Sequence, residues 1–178
     1  MPAAPVQYMV MRSGFAGHEN TTANHHDWIT PRHIVEAVGP FDLDPCQSLN
    51  QPWQCAANGY TVNDDGLSKE WNGIVWMNPP YGRAIEKWMR RLAEHGNGIG
   101  LMFARTDTRW FQDHCQNHAG MLFLRGRVRF HDGNGNQFDR KGGGASATSP
   151  SVLVAFGDEC GQRLIDCGLD GLRVVPSA

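Results

Sequence analysis

The sequence predicts an α/β fold, a sheet of mostly parallel strands with an antiparallel part near its C-terminal end, and three observations predict it. Ile74-Val75-Trp76-Met77 is a short apolar run without alternation, as in a strand buried on both faces, and it stops at Asn78-Pro79-Pro80-Tyr81. An amphipathic helix follows, with Ile85, Trp88, Met89 and Leu92 at helical spacing and Arg83, Glu86, Lys87, Arg90 and Arg91 on the other face. The chain then turns over residues 96–98 into a second buried run, Ile99 to Ala104, so that strand, helix and strand form a parallel crossover.

In chain order, residues 1–23 lack periodicity and are expected to form a mobile arm, with residues 24–178 as a single domain. Thr30 can cap a helix whose first turn takes Pro31, whose apolar stripe is Ile34, Val35 and Val38, and which Gly39-Pro40 ends. Phe41-Asp42-Leu43-Asp44-Pro45-Cys46 reads as a strand broken by proline, Gln47 to Asn58 as weakly helical, and Tyr60-Thr61-Val62 as a short strand. Asn63-Asp64-Asp65-Gly66-Leu67 is an acidic turn at that strand's end, or the N-cap of a helix over Leu67 to Trp71. Arg105-Thr106-Asp107-Thr108-Arg109 opens a helix containing Trp110, Phe111 and Cys115.

Met121 to Phe130 reads as one extended segment with Arg125, Arg127 and Arg129 on one side and Leu124, Val128 and Phe130 on the other. That arrangement is either a phosphate-binding stripe, which Arg140 and Lys141 extend, or a solvated sheet face. The Gly-rich segment 133–144 suits a loop that orders on a substrate, or a plain hairpin tip. Ser151 to Phe156 is a strand, residues 163–167 are helical, and Leu172 to Val175 is an edge strand.

Composition narrows the function. With 178 residues the chain is expected to hold a sizeable core and no added target-recognition domain. Sixteen Lys and Arg stand against eighteen Asp and Glu, so a nucleic-acid partner would be met by a local patch rather than by net charge. Five scattered cysteines without a Cys-x-x-Cys pair fit reduced thiols in a cytoplasm, and the histidines lack metal-ligand spacing, so no metal is expected. No signal peptide is expected, and no apolar run in the sequence is long enough to span a membrane.

The chemistry concentrates at strand ends, where open α/β sheets bind ligands. The Asn78 side-chain oxygen and the Pro79 carbonyl can accept from an exocyclic amine, Pro80 holds the segment extended, and Tyr81 can stack on a ring. Asp44 can accept from an ammonium or from ribose hydroxyls, or serve only as an Asx turn with Pro45. Asp64 or Asp65 can accept from an adenine amino group, with Leu67 as an apolar wall.

Five ordered blocks together resemble the phage-type DNA N6-adenine methyltransferases. They are Trp28-Ile29-Thr30-Pro31, Phe41 to Cys46, Trp76 to Tyr81, Arg105 to Phe111, and Gly126 to Phe130. The resemblance implies a shortened Rossmann-like methyltransferase sheet, S-adenosylmethionine as donor, adenine in DNA as acceptor, base flipping, and a phage or prophage origin acting in a host bacterial cytoplasm. It implies that Asn78, Pro79 and Tyr81 hold the target amine, and that Trp28, Thr30, Pro31, Asp44, Pro45 and Cys46 line the donor site. Arg105 and Arg109 join the stripe as candidate DNA contacts. The pattern departs from other methyltransferases of this fold in having no glycine in Asp44-Pro45-Cys46-Gln47-Ser48. The tetrad alone also admits another amino-methyltransferase, acting on RNA guanine or protein glutamine, or a non-catalytic nucleic-acid-binding domain.

Overall fold

A computed structural model describes residues 28–137 and 149–176. The expected N-terminal arm, most of the Gly-rich segment, Arg140 and Lys141 lie outside the described residues. The described chain forms one seven-stranded sheet: β1 (Leu43–Asp44), β2 (Asn58–Gly59), β3 (Val75–Met77), β4 (Gly98–Phe103), β5 (Gly120–Leu124), β6 (Ser151–Phe156) and β7 (Gly171–Val174), in spatial order β2-β1-β3-β4-β6-β5-β7. Pairings from β2 across to β4 are parallel, and those joining β4 to β6, β6 to β5 and β5 to β7 are antiparallel. Five strands therefore share one direction, and only β6 and β7 run against them.

Helices α1 (Arg32–Val38) and α4 (Asp158–Asp166) cover one face, while α2 (Ile85–His95) and α3 (Arg109–His114) cover the other. The period of two divides the core accordingly. Trp76 of β3 packs with Ile34, Val38 and Leu164, whereas its neighbours Val75 and Met77 pack with Met89 and Leu92. Gly100 of β4 leaves the room that the Leu92 side chain occupies, since an added Cβ would lie 2.9 Å from Leu92. Leu92 is fully buried, so its truncation to Ala should cost about 2–5 kcal/mol.

Several expectations are corrected. Thr30 does not cap α1; Pro31 occupies the N-cap, and no side chain caps that end. The reason is burial: Thr30 is held inside, and its carbonyl accepts from Trp53 Nε1 at 3.1 Å. Residues 47–58 form no helix, because Ser48 and Gln51 bind local backbone groups instead and Pro52 lacks a donor. The short parallel strand lies at Asn58–Gly59 rather than over Tyr60 to Val62, although Tyr60 N–H still donates to Asp44 O. Residues 67–71 make turns and no helix. The Met121–Phe130 segment is not one strand, since β5 ends at Leu124 and Gly126 takes φ 77°.

Two of the seven strands are very short. β1 and β2 contribute two residues each, and no helix joins them. Asp42, exposed beside β1, is structural: its carboxylate accepts the Ile74 N–H at 2.6 Å and packs under Gly73, where φ is 73° and no Cβ would fit.

Candidate active site

From β1 the chain runs to β2 on one side, while β3 lies on the other, so the strand order reverses between β1 and β3. At such a switch point the loops leaving the two carboxyl ends diverge and open a crevice. The end of β1 supplies Asp44 and the end of β3 supplies Asn78, and both face a pocket of about 890 Å³. Trp28, Thr30, Pro45, Cys46, Asp65, Pro79, Pro80 and Tyr81 also line it.

Asn78 is held from two sides. Its Nδ2 donates to the Trp28 carbonyl at 2.6 Å, and the Tyr81 hydroxyl donates to its Oδ1 at 3.1 Å. A carbonyl needs a donor and a hydroxyl proton needs an acceptor, so this pair of contacts fixes which end of the amide is oxygen. Oδ1 retains acceptor capacity beyond the Tyr81 bond. The Tyr81 ring stacks on Phe103 at 4.1 Å between centroids, and Trp28 and Phe130 approach it edge-on at 6.2 and 6.4 Å. Trp28 and Phe130 meet each other at 5.2 Å. Tyr81 thus sits among aromatic rings drawn from three other parts of the chain.

Asp44 is 4% exposed, and burial raises its carboxyl from 3.8 to about 6 despite the Cys46 N–H and the Gln51 side chain, which hold it down. Burial and the Asp44 charge push the Cys46 thiol well above its usual range. Burial, with the same charge, pushes Cys55 up to about 12. Both thiols are therefore protonated at neutral pH, and neither is a thiolate nucleophile. Thr30 Oγ1 is buried without a hydrogen-bond partner among the described residues.

The missing glycine of the first loop has a counterpart across the crevice. A Cβ at Gly66 would overlap the Pro45 carbonyl oxygen, and one at Gly59 would overlap the Gln47 side chain. Gly66, in the loop after β2, thus meets the Pro45 backbone, and Gly59, in β2 itself, lies against the Gln47 side chain. Asp65, next to Gly66, has φ 52°, the only described non-glycine residue with positive φ. Aspartate tolerates that conformation better than most residues.

The structure separates other candidates. The Asp64 carboxylate is consumed locally by the Thr61 N–H and hydroxyl, which lower its pKa, and it does not line the pocket. Leu67 packs into the core on the α2 side and is also outside the lining. Pro31, adjacent to Thr30, faces a different cavity. That second cavity, about 440 Å³, is lined by Arg125, Arg127 and Arg129. Arg105 and Arg109 lie beyond the end of β4 and line neither cavity.

Residues that sequence reasoning missed include Gln51, Cys55, Leu49 and Val62, all lining the first pocket. Leu49 and Val62 are 57% and 78% exposed, and two large apolar side chains so exposed beside a pocket are the sole signal among these four. The Phe103 and Phe130 contacts with Tyr81 were likewise invisible, since a phenylalanine in a strand reads as core.

Among the described residues no helix is long and apolar enough to cross a membrane, and no His, Cys, Asp and Glu cluster could hold a metal. The family described as DNA N-6-adenine-methyltransferase (Dam) matches residues 18–158. A DNA N-6-adenine-methyltransferase of Escherichia phage T1 is 30% identical over 125 residues, covering 65% of this chain and 51% of the phage protein. The chain spans about half the length of that curated relative. No solved structure matches it.

Proposed function

The chain belongs to the DNA N-6-adenine-methyltransferase (Dam) family, and from that premise we propose that it methylates N6 of adenine in DNA with S-adenosylmethionine as donor. The observation that carries this reading is the fixed amide of Asn78, a residue that lines the switch-point pocket and whose oxygen keeps acceptor capacity beyond the Tyr81 bond. We read the sheet as a shortened Rossmann-like methyltransferase sheet, because β1 and β3 flank the pocket at the strand-order reversal.

The pocket's residues fit the donor. Asp44 is a buried carboxylate that a cationic ligand would relieve, and Thr30 Oγ1 is a buried hydroxyl in want of a partner. With Pro45, Cys46 and Asp65 they would hold S-adenosylmethionine, which supplies an electrophilic methyl group. Asn78 Oδ1 and the Pro79 carbonyl accept from the target amine and steer its lone pair, so positioning and electrostatics do the work and no covalent enzyme intermediate is needed. Tyr81 orients Asn78 through its hydroxyl and offers a ring to the base. An adenine within a duplex cannot reach this pocket, so the base leaves the stack. Arg105, Arg109 and the exposed Arg127 and Arg129 are the proposed contacts to the DNA backbone.

Purified protein incubated with methyl-labelled S-adenosylmethionine and unmethylated DNA tests the reading. Label recovered as N6-methyladenine, and lost in Asn78→Ala, is the expected result. Label found only in RNA or in protein would overturn it.

A further inference from the structure

We infer that the second cavity, between α1 and the segment after β5, is a nucleotide subsite that takes one nucleotide of the substrate strand beside the target. Its phosphate would lie on Arg127 and Arg129, and its base on the apolar floor. The inference rests on the DNA-methyltransferase reading above and adds a position in the substrate to it.

Gly126 turns the chain just after β5, yet alternation continues beyond it: Val128 and Phe130 are buried while Arg127 and Arg129 are exposed. Because the segment curls against α1, the arginines line a concavity rather than a flat sheet face. Arg125 is neutralised there by Asp170 at 2.7 Å. No ion pair is made by Arg127 or Arg129 among the described residues, so among these the cavity has two guanidiniums without a carboxylate partner. Beneath them lie Ile34, Leu124, Val128 and Leu169. A phosphate alone needs no apolar floor, and a volume of about 440 Å³ falls within the range of small-ligand sites, about 300–1,000 Å³. A cationic rim over an apolar floor suits a flat ring carrying a phosphate.

The position relative to the active site supports a neighbouring nucleotide. Phe130 turns its ring to Trp28 and Tyr81 while Arg129 beside it lines the cavity. The next residue, His131, exchanges backbone hydrogen bonds with Ile29, both at 2.9 Å. The segment from Trp28 to Pro31 thus lines both cavities, the first through Trp28, Ile29 and Thr30 and the second through Pro31, and His131 ties it to the segment that carries the arginines.

Thymidine 5′-monophosphate is a suitable probe, because its base has no exocyclic amine for Asn78 to hold. Calorimetric titration of the whole protein with it, with thymidine and with inorganic phosphate separates base from phosphate. The mononucleotide should bind more tightly than phosphate, and the double variant Arg127→Ala/Arg129→Ala should weaken it by about tenfold or more. Leu169→Trp, which fills the floor and keeps both arginines, should also weaken it while leaving phosphate binding intact. In substrate DNA, an abasic residue stepped along the strand should weaken binding at one flanking position in wild type and not in the double variant. The inference is overturned if wild type shows no saturable mononucleotide binding, if phosphate binds equally well, or if the double variant behaves as wild type. Methyl transfer to adenine with such a result would leave the functional reading standing. Mononucleotide binding lost in the double variant without any methyl transfer would leave the subsite standing and remove the function.

Discussion

Replacing Asp44 with Asn removes a charge that the fold holds at a cost. A rise in pKa from 3.8 to about 6 corresponds to about 3 kcal/mol at about 1.36 kcal/mol per unit. The folded state binds this proton more tightly than the unfolded state, so the group favours folding at low pH. Its contribution is fully present below 3.8, falls as pH rises to about 6, and is level above that. The apo Asp44→Asn protein should therefore be more stable than wild type at pH 8, by up to about 3 kcal/mol. The gain is smaller if the new amide N–H₂ finds no acceptor. Donor binding should move the opposite way: loss of a charged partner for the donor's ammonium weakens it by about 1.5–3 kcal/mol, or roughly 10- to 150-fold. Urea unfolding of both proteins at pH 5 and pH 8, with calorimetric titration of S-adenosylmethionine, reads both effects. An Asp44→Asn protein less stable than wild type at pH 8, with the same pH slope, would refute the argument that the buried charge is held ready for a cation.

Other expectations follow from the same geometry. Asn78→Ala should lower the methylation rate by two or more orders of magnitude with the melting temperature little changed, measured by single-turnover transfer; an active variant would end its assigned role. Tyr81→Ala should weaken base capture, whereas Tyr81→Phe keeps the ring and loses only the bond to Asn78 Oδ1, worth about 0.5–1.5 kcal/mol, so its rate should fall by roughly 2- to 12-fold. Gly66→Ala should destabilise the fold by about 1–3 kcal/mol and weaken donor binding, because its Cβ meets the Pro45 carbonyl; chemical denaturation and titration would show normal values if the two loops are not pressed together. Wild-type donor affinity should rise as pH increases through about 6, as Asp44 ionises, and a flat profile in titrations across that range would exclude Asp44 as a donor contact.

The α/β class was legible in the sequence because local signals carry it. The buried run before Asn78, the helical stripe of Ile85, Trp88, Met89 and Leu92, and the second buried run each encode a period that survives folding. The tetrad at a strand end and Asp44 before a proline were legible for the same reason: proline stops a ladder wherever it occurs. Tertiary structure decided the rest. No local signal brings the Trp28 carbonyl to Asn78, fifty residues away in sequence, and that contact orients the amide. Nothing near Asp64 and Asp65 indicates that a turn consumes one carboxylate and leaves the other beside the pocket, since both belong to the same acidic run. The arginine alternation was visible, but whether Arg127 and Arg129 rim a flat face or a cavity depends on where Gly126 bends the chain against α1. Sequence determined which candidate side chains stand at strand ends, because residue type and spacing are local. The structure decided which of them meet, because that depends on strand order and on loops whose approach is set by glycines far away in the chain.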